Sequence, residues 1–83
     1  YEVFLRLLRE ARLKAGLTQE QVAERMKQDQ AMISRCFTGS RRVDIVELKT
    51  FLQAMGLSFS EFVLKLEAEW RTVQHSPPEA DRG

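Results

Sequence analysis

Bond-making chemistry is thinly supplied along this chain. Ser34, Cys36 and His75 are the side chains with nucleophilic or acid–base character that one would first try to assemble. They make no triad, because His75 falls in a polar, proline-containing tail that cannot hold a base against a nucleophile. A single histidine and a single cysteine, with no further ligand at zinc spacing, give no metal site either, and no cofactor is expected. Cys36 reads as a small core hydrophobe, with a redox-sensing role as the less favoured alternative. Recognition chemistry is better provided. Gln30, Ser34, Arg35, Thr38, Arg41 and Arg42 crowd into thirteen residues and offer hydrogen-bond forks and fixed positive charge.

Those side chains need a frame, and the chain spells one out. Residues 2 to 15 are rich in Leu, Arg, Glu and Ala, all good helix formers. Phe4, Leu8 and Ala11 recur at helical spacing, Leu5 and Leu7 widen the apolar face, and Gly16 stands at a left-handed stop. Thr18 followed by Gln21 is a capping box that starts a second helix over about 19–26, with Val22, Ala23 and Met26 inward. Asp29 is a strong N-cap for a third helix from Gln30 to about Thr38. Ile33 and Cys36 (or Phe37) point inward there, and Gly39 ends it. Asp44 opens a fourth helix to about Met55, with Val43, Leu48, Phe51, Leu52 and Met55 on its buried side. Ser58 and Glu61 form another capping box, opening a fifth helix through about Trp70. Residues 74–83 carry two prolines and no apolar periodicity, so a domain over 1–73 with a flexible tail over 74–83 is expected. Nothing alternates like a strand. The fold class is all-α, five short helices.

Bulk properties narrow the function classes. A chain of 83 residues supports one core but hardly a sizeable catalytic cleft, so binding is favoured over catalysis. No run of about 18 apolar residues could span a membrane. The first residues lack a signal-peptide layout, although the chain begins at Tyr1 and so is read as a possible fragment. One unpaired cysteine suits a reducing, cytoplasmic setting. Net charge is +1, yet residues 1–42 hold nine Lys/Arg against five acids and the remainder four against seven. A polyanion facing the first half would fit that asymmetry.

A short helix, a tight link and a second short helix with a polar first turn can present the second helix to the roughly 12 Å major groove of DNA. Gln30 leads. Its amide holds a donor beside an acceptor, the complement of adenine N6 and N7, while Arg35 can reach guanine O6/N7 or a phosphate. Exposed amides at Thr18 and Gln19 open the second helix and attract phosphate. Arg41 and Arg42 flank the far end as phosphate clamps.

The stretch LREARLKAGLTQEQVAERM over 8–26, followed by ISR over 33–35 and GSRR over 39–42, resembles the Cro/lambda-repressor-like, XRE-type helix-turn-helix family. AGLTQEQVA over 15–23, with ISR beginning ten residues beyond Ala23, is its most specific part, and the likeness covers roughly Leu8 to Phe62. It implies a five-helix, usually dimeric DNA-binding fold that regulates transcription. It also implies that Gln19 touches phosphate and that Gln30, Ala31 and Arg35 face bases. The full expected site places Gln30, Ala31, Met32, Ser34 and Arg35 on bases, and Thr18, Gln19, Arg12, Thr38, Arg41 and Arg42 on phosphates.

Three residues depart from the family pattern. Lys27 replaces the usual turn glycine and must adopt its conformation without glycine's freedom. Met32 replaces a small polar residue and is expected near a thymine methyl. Phe37 stands where a Glu often pairs with the Arg equivalent to Arg12, leaving Arg12 to stack on Phe37 or to serve phosphate directly. Phe59, Phe62, Val63, Leu66 and Trp70 form a stripe on the fifth helix that suits either core packing or a homodimer interface. The expected partner is double-stranded DNA, bound by a homodimer. A protein-interaction module, an adaptor or antitoxin-like partner, is the alternative, cued by Met32 and Phe37 near a face that should be polar and by the modest net charge.

Overall fold

A computed structural model describes residues 1–73; the segment 74–83, including His75, lies outside the described residues. Five helices follow one another: α1 (Glu2–Lys14), α2 (Gln19–Met26), α3 (Gln30–Thr38), α4 (Ile45–Ala54) and α5 (Phe59–Val73). Among the described residues there is no strand and no helix long and apolar enough to cross a membrane. The expected elements therefore stand, with α4 ending one residue earlier and α5 running three residues further than the sequence suggested.

The starts are set by side chains that satisfy orphan amides. Thr18 Oγ1 accepts from Gln21 N at 3.0 Å while Gln21 Oε1 accepts from Thr18 N at 2.9 Å, completing the box that begins α2. Asp29 caps α3 by accepting from Met32 N at 3.2 Å. Asp44 and Glu47 form a further reciprocal box at α4. Ser58 Oγ accepts from Glu61 N at the start of α5. Each cap of this kind stabilises its helix by about 1 kcal/mol.

Three of the stops repeat one motif. After α1, Leu17 N donates to Arg12 O and Gly16 N to Leu13 O; after α2, Gln28 N donates to Ala23 O and Lys27 N to Glu24 O; after α4, Leu57 N donates to Leu52 O and Gly56 N to Gln53 O. This paired closure requires a left-handed residue. Gly16 and Gly56 supply it at φ +73°, and Lys27 at φ 58°. The turn inside the helix-turn-helix thus carries a lysine where its two siblings carry glycine.

Leu8, Val22, Ile33, Cys36, Phe37, Phe51 and Leu52 are almost wholly excluded from solvent, so α1 to α4 meet around one centre. Phe37 and Phe51 contact edge to face with centroids 5.4 Å apart, and Phe4 meets Phe62 of α5 the same way at 6.0 Å. Such pairs add about 0.5–1.5 kcal/mol beyond burial. Val43, expected on the buried side of α4, is half-buried against the core, and its amide donates to the Tyr1 hydroxyl at 3.0 Å.

Candidate nucleic-acid interface

Helix α3 is anchored along one side and open along the other. Ile33, Cys36 and Phe37 are buried. Ala31, Arg35 and Thr38 follow the i, i+4, i+7 stripe opposite and are exposed, as is Gln30 at the helix start. Thus Gln30, Ala31 and Arg35 stand together on an uncovered surface, with Thr38 at its far end. Ser34 is half-buried at the flank of this stripe.

Met32 sits on the other flank. It is half-buried against the core, and Cys36 Sγ donates to its sulfur at 3.7 Å, one helical turn away. It lines a groove with Met26, Gln28, Val46, Glu47, Thr50 and Phe51. The structure therefore turns Met32 toward α4.

The polar residues expected on phosphate fall into two groups. Thr18 is exposed and Gln19 half-buried at the start of α2, where the helix dipole and amides present positive potential. The Thr18 hydroxyl already accepts from Gln21 N and the Thr18 amide donates to Gln21 Oε1, so the chemistry left there lies in the amide and side chain of Gln19. Thr38 Oγ1 donates to Arg35 O at 3.2 Å and keeps a lone pair for a further donor.

The arginines of the second group are engaged within the protein. Arg12 Nη1 donates to Leu17 O at 2.8 Å, and its guanidinium lies 5.0 Å over the Phe37 ring. Of the two roles open to Arg12, the stacked one is present in the structure. Its Nε is buried with no hydrogen-bond partner among the described residues. Arg41 forms a two-pronged pair with Glu47, Nη1 to Oε1 at 3.2 Å and Nη2 to Oε2 at 2.8 Å. Hydrogen bonds from Arg41 and from the Asp44 amide hold the Glu47 carboxyl below the usual carboxylate range, and the same contact raises the Arg41 guanidinium further. Arg42 is exposed and rests 4.2 Å over the Tyr1 ring.

Three contacts among α1 to α4 had no counterpart in the sequence reading. Arg9 Nε donates to Phe37 O at 3.0 Å, satisfying a carbonyl at the end of α3. Arg25 Nη1 donates to Ala54 O at 2.9 Å at the end of α4. Glu47 could have been found, since Asp44-x-x-Glu47 carries the same box signature as Thr18-x-x-Gln21. The pairing of Glu47 with Arg41 has no local signature.

The stripe on α5 divides. Phe62 is 7% exposed and belongs to the protomer's own core, so it is withdrawn from the candidate interface. Phe59 and Leu66 are half-buried against that core. Val63 and Trp70 remain 37% and 42% exposed. Ile45 and Val46 at the start of α4 and Leu64 on α5 are more open still, and these three went unmarked in the sequence reading. Trp70, Leu66, Ile45, Leu48 and Tyr1 line an apolar groove of about 350 Å³. Of the cues for a foreign protein partner, Phe37 is inside the core and Met32 faces α4, while the net charge of +1 is unchanged by the fold.

Comparison with known proteins places this geometry. The sequence model of the family described as helix-turn-helix matches residues 8–62. Among solved structures, an XRE-family like protein from Pseudomonas syringae pv. tomato str. DC3000 is 36% identical with a TM-score of 0.79, over 83% of this chain and 84% of that one. The wild-type restriction-modification controller protein C.Esp1396I is 26% identical with a TM-score of 0.76, over 84% and 91%. The same controller protein in a nucleoprotein complex is 27% identical with a TM-score of 0.72, over 81% and 87%. No curated protein matches the chain.

Proposed function

This chain belongs to the XRE-type helix-turn-helix family, and we propose that it is a sequence-specific DNA-binding transcriptional regulator that reads double-stranded DNA with α3. The observation that carries the reading is the outward face of that helix. Its opposite side is locked into the core by Ile33, Cys36 and Phe37, while Gln30, Ala31 and Arg35 are exposed. A helix held on one side and open on the other can enter a major groove without rearrangement. A nucleoprotein complex of a protein with the same fold supports the class of partner.

In this reading Gln30 leads into the groove and pairs with an adenine, and Arg35, farther along the helix, meets a guanine or a phosphate. Ala31 permits close approach and Ser34 contributes a hydroxyl from the flank. The amide and side chain of Gln19, with Thr38 and Arg42, set the protein's register on the backbone. Arg12 ties the loop before α2, through Leu17 O, to Phe37 near the end of α3. The regulator acts as a homodimer whose contact is built from the open apolar residues Ile45, Val63 and Trp70, with Phe59 and Leu66 behind them. Two-fold pairing sets the two reading helices about 34 Å apart, one turn of duplex, and so selects an inverted repeat.

Selection from a random duplex pool tests this. Enrichment of one inverted repeat with half-site centres about one turn apart is the expected result. Absence of any binding at low salt would remove DNA as the partner and leave the open apolar residues to a different protein.

A further inference from the structure

The cations around the reading face are not equivalent. Arg35 and Lys27 are exposed and have no ion-pair partner among the described residues. Arg41 is held by both oxygens of Glu47 and donates in addition to Cys36 Sγ at 3.5 Å. Glu47 is itself held in place. Its Oε1 also accepts from Asp44 N at 3.1 Å, and its own amide donates to Asp44 Oδ1 at 2.7 Å. Releasing the guanidinium would break a two-pronged, charge-assisted contact whose carboxylate is fixed by a helix cap. The pair also borders the reading helix, because Glu47 shares a groove with Gln28 of the turn and Met32 of the first turn of α3.

We propose that Glu47 is a positioning residue that masks Arg41, keeping this cation on α4 and out of phosphate contact in the DNA complex. The inference rests on the DNA-reading function proposed above and alters the share of the loop in it. Of the two adjacent arginines, Arg42, which only stacks on Tyr1, is the one available to phosphate. The loop therefore contributes one released counter-ion where its sequence offers two. Glu47 sets affinity through the charge it withholds, and fixes the end of α3 to the first turn of α4.

Salt titration of binding to the selected duplex reads this directly, using the full chain as wild type, Arg41→Ala, Glu47→Gln and the double variant. Each phosphate contact contributes about 0.9 to the slope of log K against log salt. Arg41→Ala is expected to leave the wild-type slope unchanged. Glu47→Gln keeps an oxygen to accept from Asp44 N but loses its charge. It is expected to steepen the slope by about 0.9, equivalent to an additional ~3.5-fold loss of affinity between 50 and 200 mM salt. The double variant is expected to return to the wild-type slope, which assigns the gain to Arg41. Thermal melts by circular dichroism establish that each variant is folded. A slope that falls by about 0.9 in Arg41→Ala overturns the mask while leaving DNA reading intact. So does a Glu47→Gln slope equal to wild type, or a gain that survives in the double variant. A wild-type chain that binds no duplex at low salt overturns the reading and this inference together.

Discussion

Replacing Lys27 by glycine should stabilise the protein, although it deletes a side chain and loosens the unfolded chain. Lys27 holds φ 58° and ψ 45°, a conformation that costs an L-residue about 1–2 kcal/mol. Glycine removes that cost but raises the entropy of the unfolded state by about 0.4–1 kcal/mol. The backbone gain expected for Lys27→Gly, before the lost charge is counted, is about 0.5–1 kcal/mol. Lys27 is also a cation at a helix C-terminus, worth roughly 0.3 kcal/mol or more when exposed. Lys27→Ala isolates that part, because it loses the same charge yet stays left-handed. Urea unfolding of the three proteins, with thermal melts alongside, measures both terms. Lys27→Gly should exceed Lys27→Ala by at least ~0.5 kcal/mol, with Tm higher by roughly 2–8 °C for a domain of this size. The two glycine-bearing siblings supply the reverse check, since Gly16→Ala should be destabilising at the same motif. Equal stability of Lys27→Gly and Lys27→Ala would refute the claim that the turn is strained.

Further outcomes follow from the same structure. Gly39→Ala should cost about 1–3 kcal/mol, because the residue sits at φ +92° and a Cβ there would lie 2.6 Å from Leu5 Cδ1. Gly16→Ala meets no atom within 4 Å and should cost less; the reverse order in urea unfolding would contradict the packing at Leu5. The depressed Glu47 carboxyl makes its pairing fully present above the unfolded carboxylate range and progressively lost as pH falls through its folded value. The stability difference between wild type and Glu47→Gln should therefore be flat from pH 6 to 8 and shrink below about pH 4; a difference independent of pH would exclude the ion pair as its source. Trp70→Ala should weaken self-association in sedimentation equilibrium by about tenfold or more if Trp70 anchors the dimer contact. A wild-type chain that stays monomeric at high concentration would remove the two-fold arrangement.

What the sequence discloses here is mostly local chemistry. Thr18-x-x-Gln21, Asp29 and Ser58-x-x-Glu61 mark helix starts because caps act over three residues. Glycines at 16, 39 and 56 mark stops for an equally local reason. The open stripe of α3 was legible for the same reason, since Ala31 and Arg35 must share a face one turn apart once Ile33 and Phe37 are inward. What escaped was set by neighbours. Met32 lies between the buried and open sides of α3, and the groove beside α4 decided its direction. Arg41 and Arg42 look alike in sequence, yet one meets a carboxylate six residues on and the other an aromatic ring forty-one residues back. Phe62 repeats in the same stripe as Trp70, but only Phe62 meets Phe4 across the core. Ile45 and Val46 were overlooked because a helix's first turn shows no periodicity by itself.

The most direct measurement is a chemical change in the DNA matched to a change at Gln30. Within the selected duplex, each adenine is replaced in turn by 7-deazaadenine, which lacks the N7 acceptor, and binding is compared for wild type and Gln30→Ala. At one adenine per half-site the wild type should lose about 5-fold or more, consistent with part of a bidentate contact worth roughly 1–3 kcal/mol. Gln30→Ala should be indifferent to that same atom. Equal losses for both proteins at every position, or none for either, would mean that the tip of α3 does not read adenine.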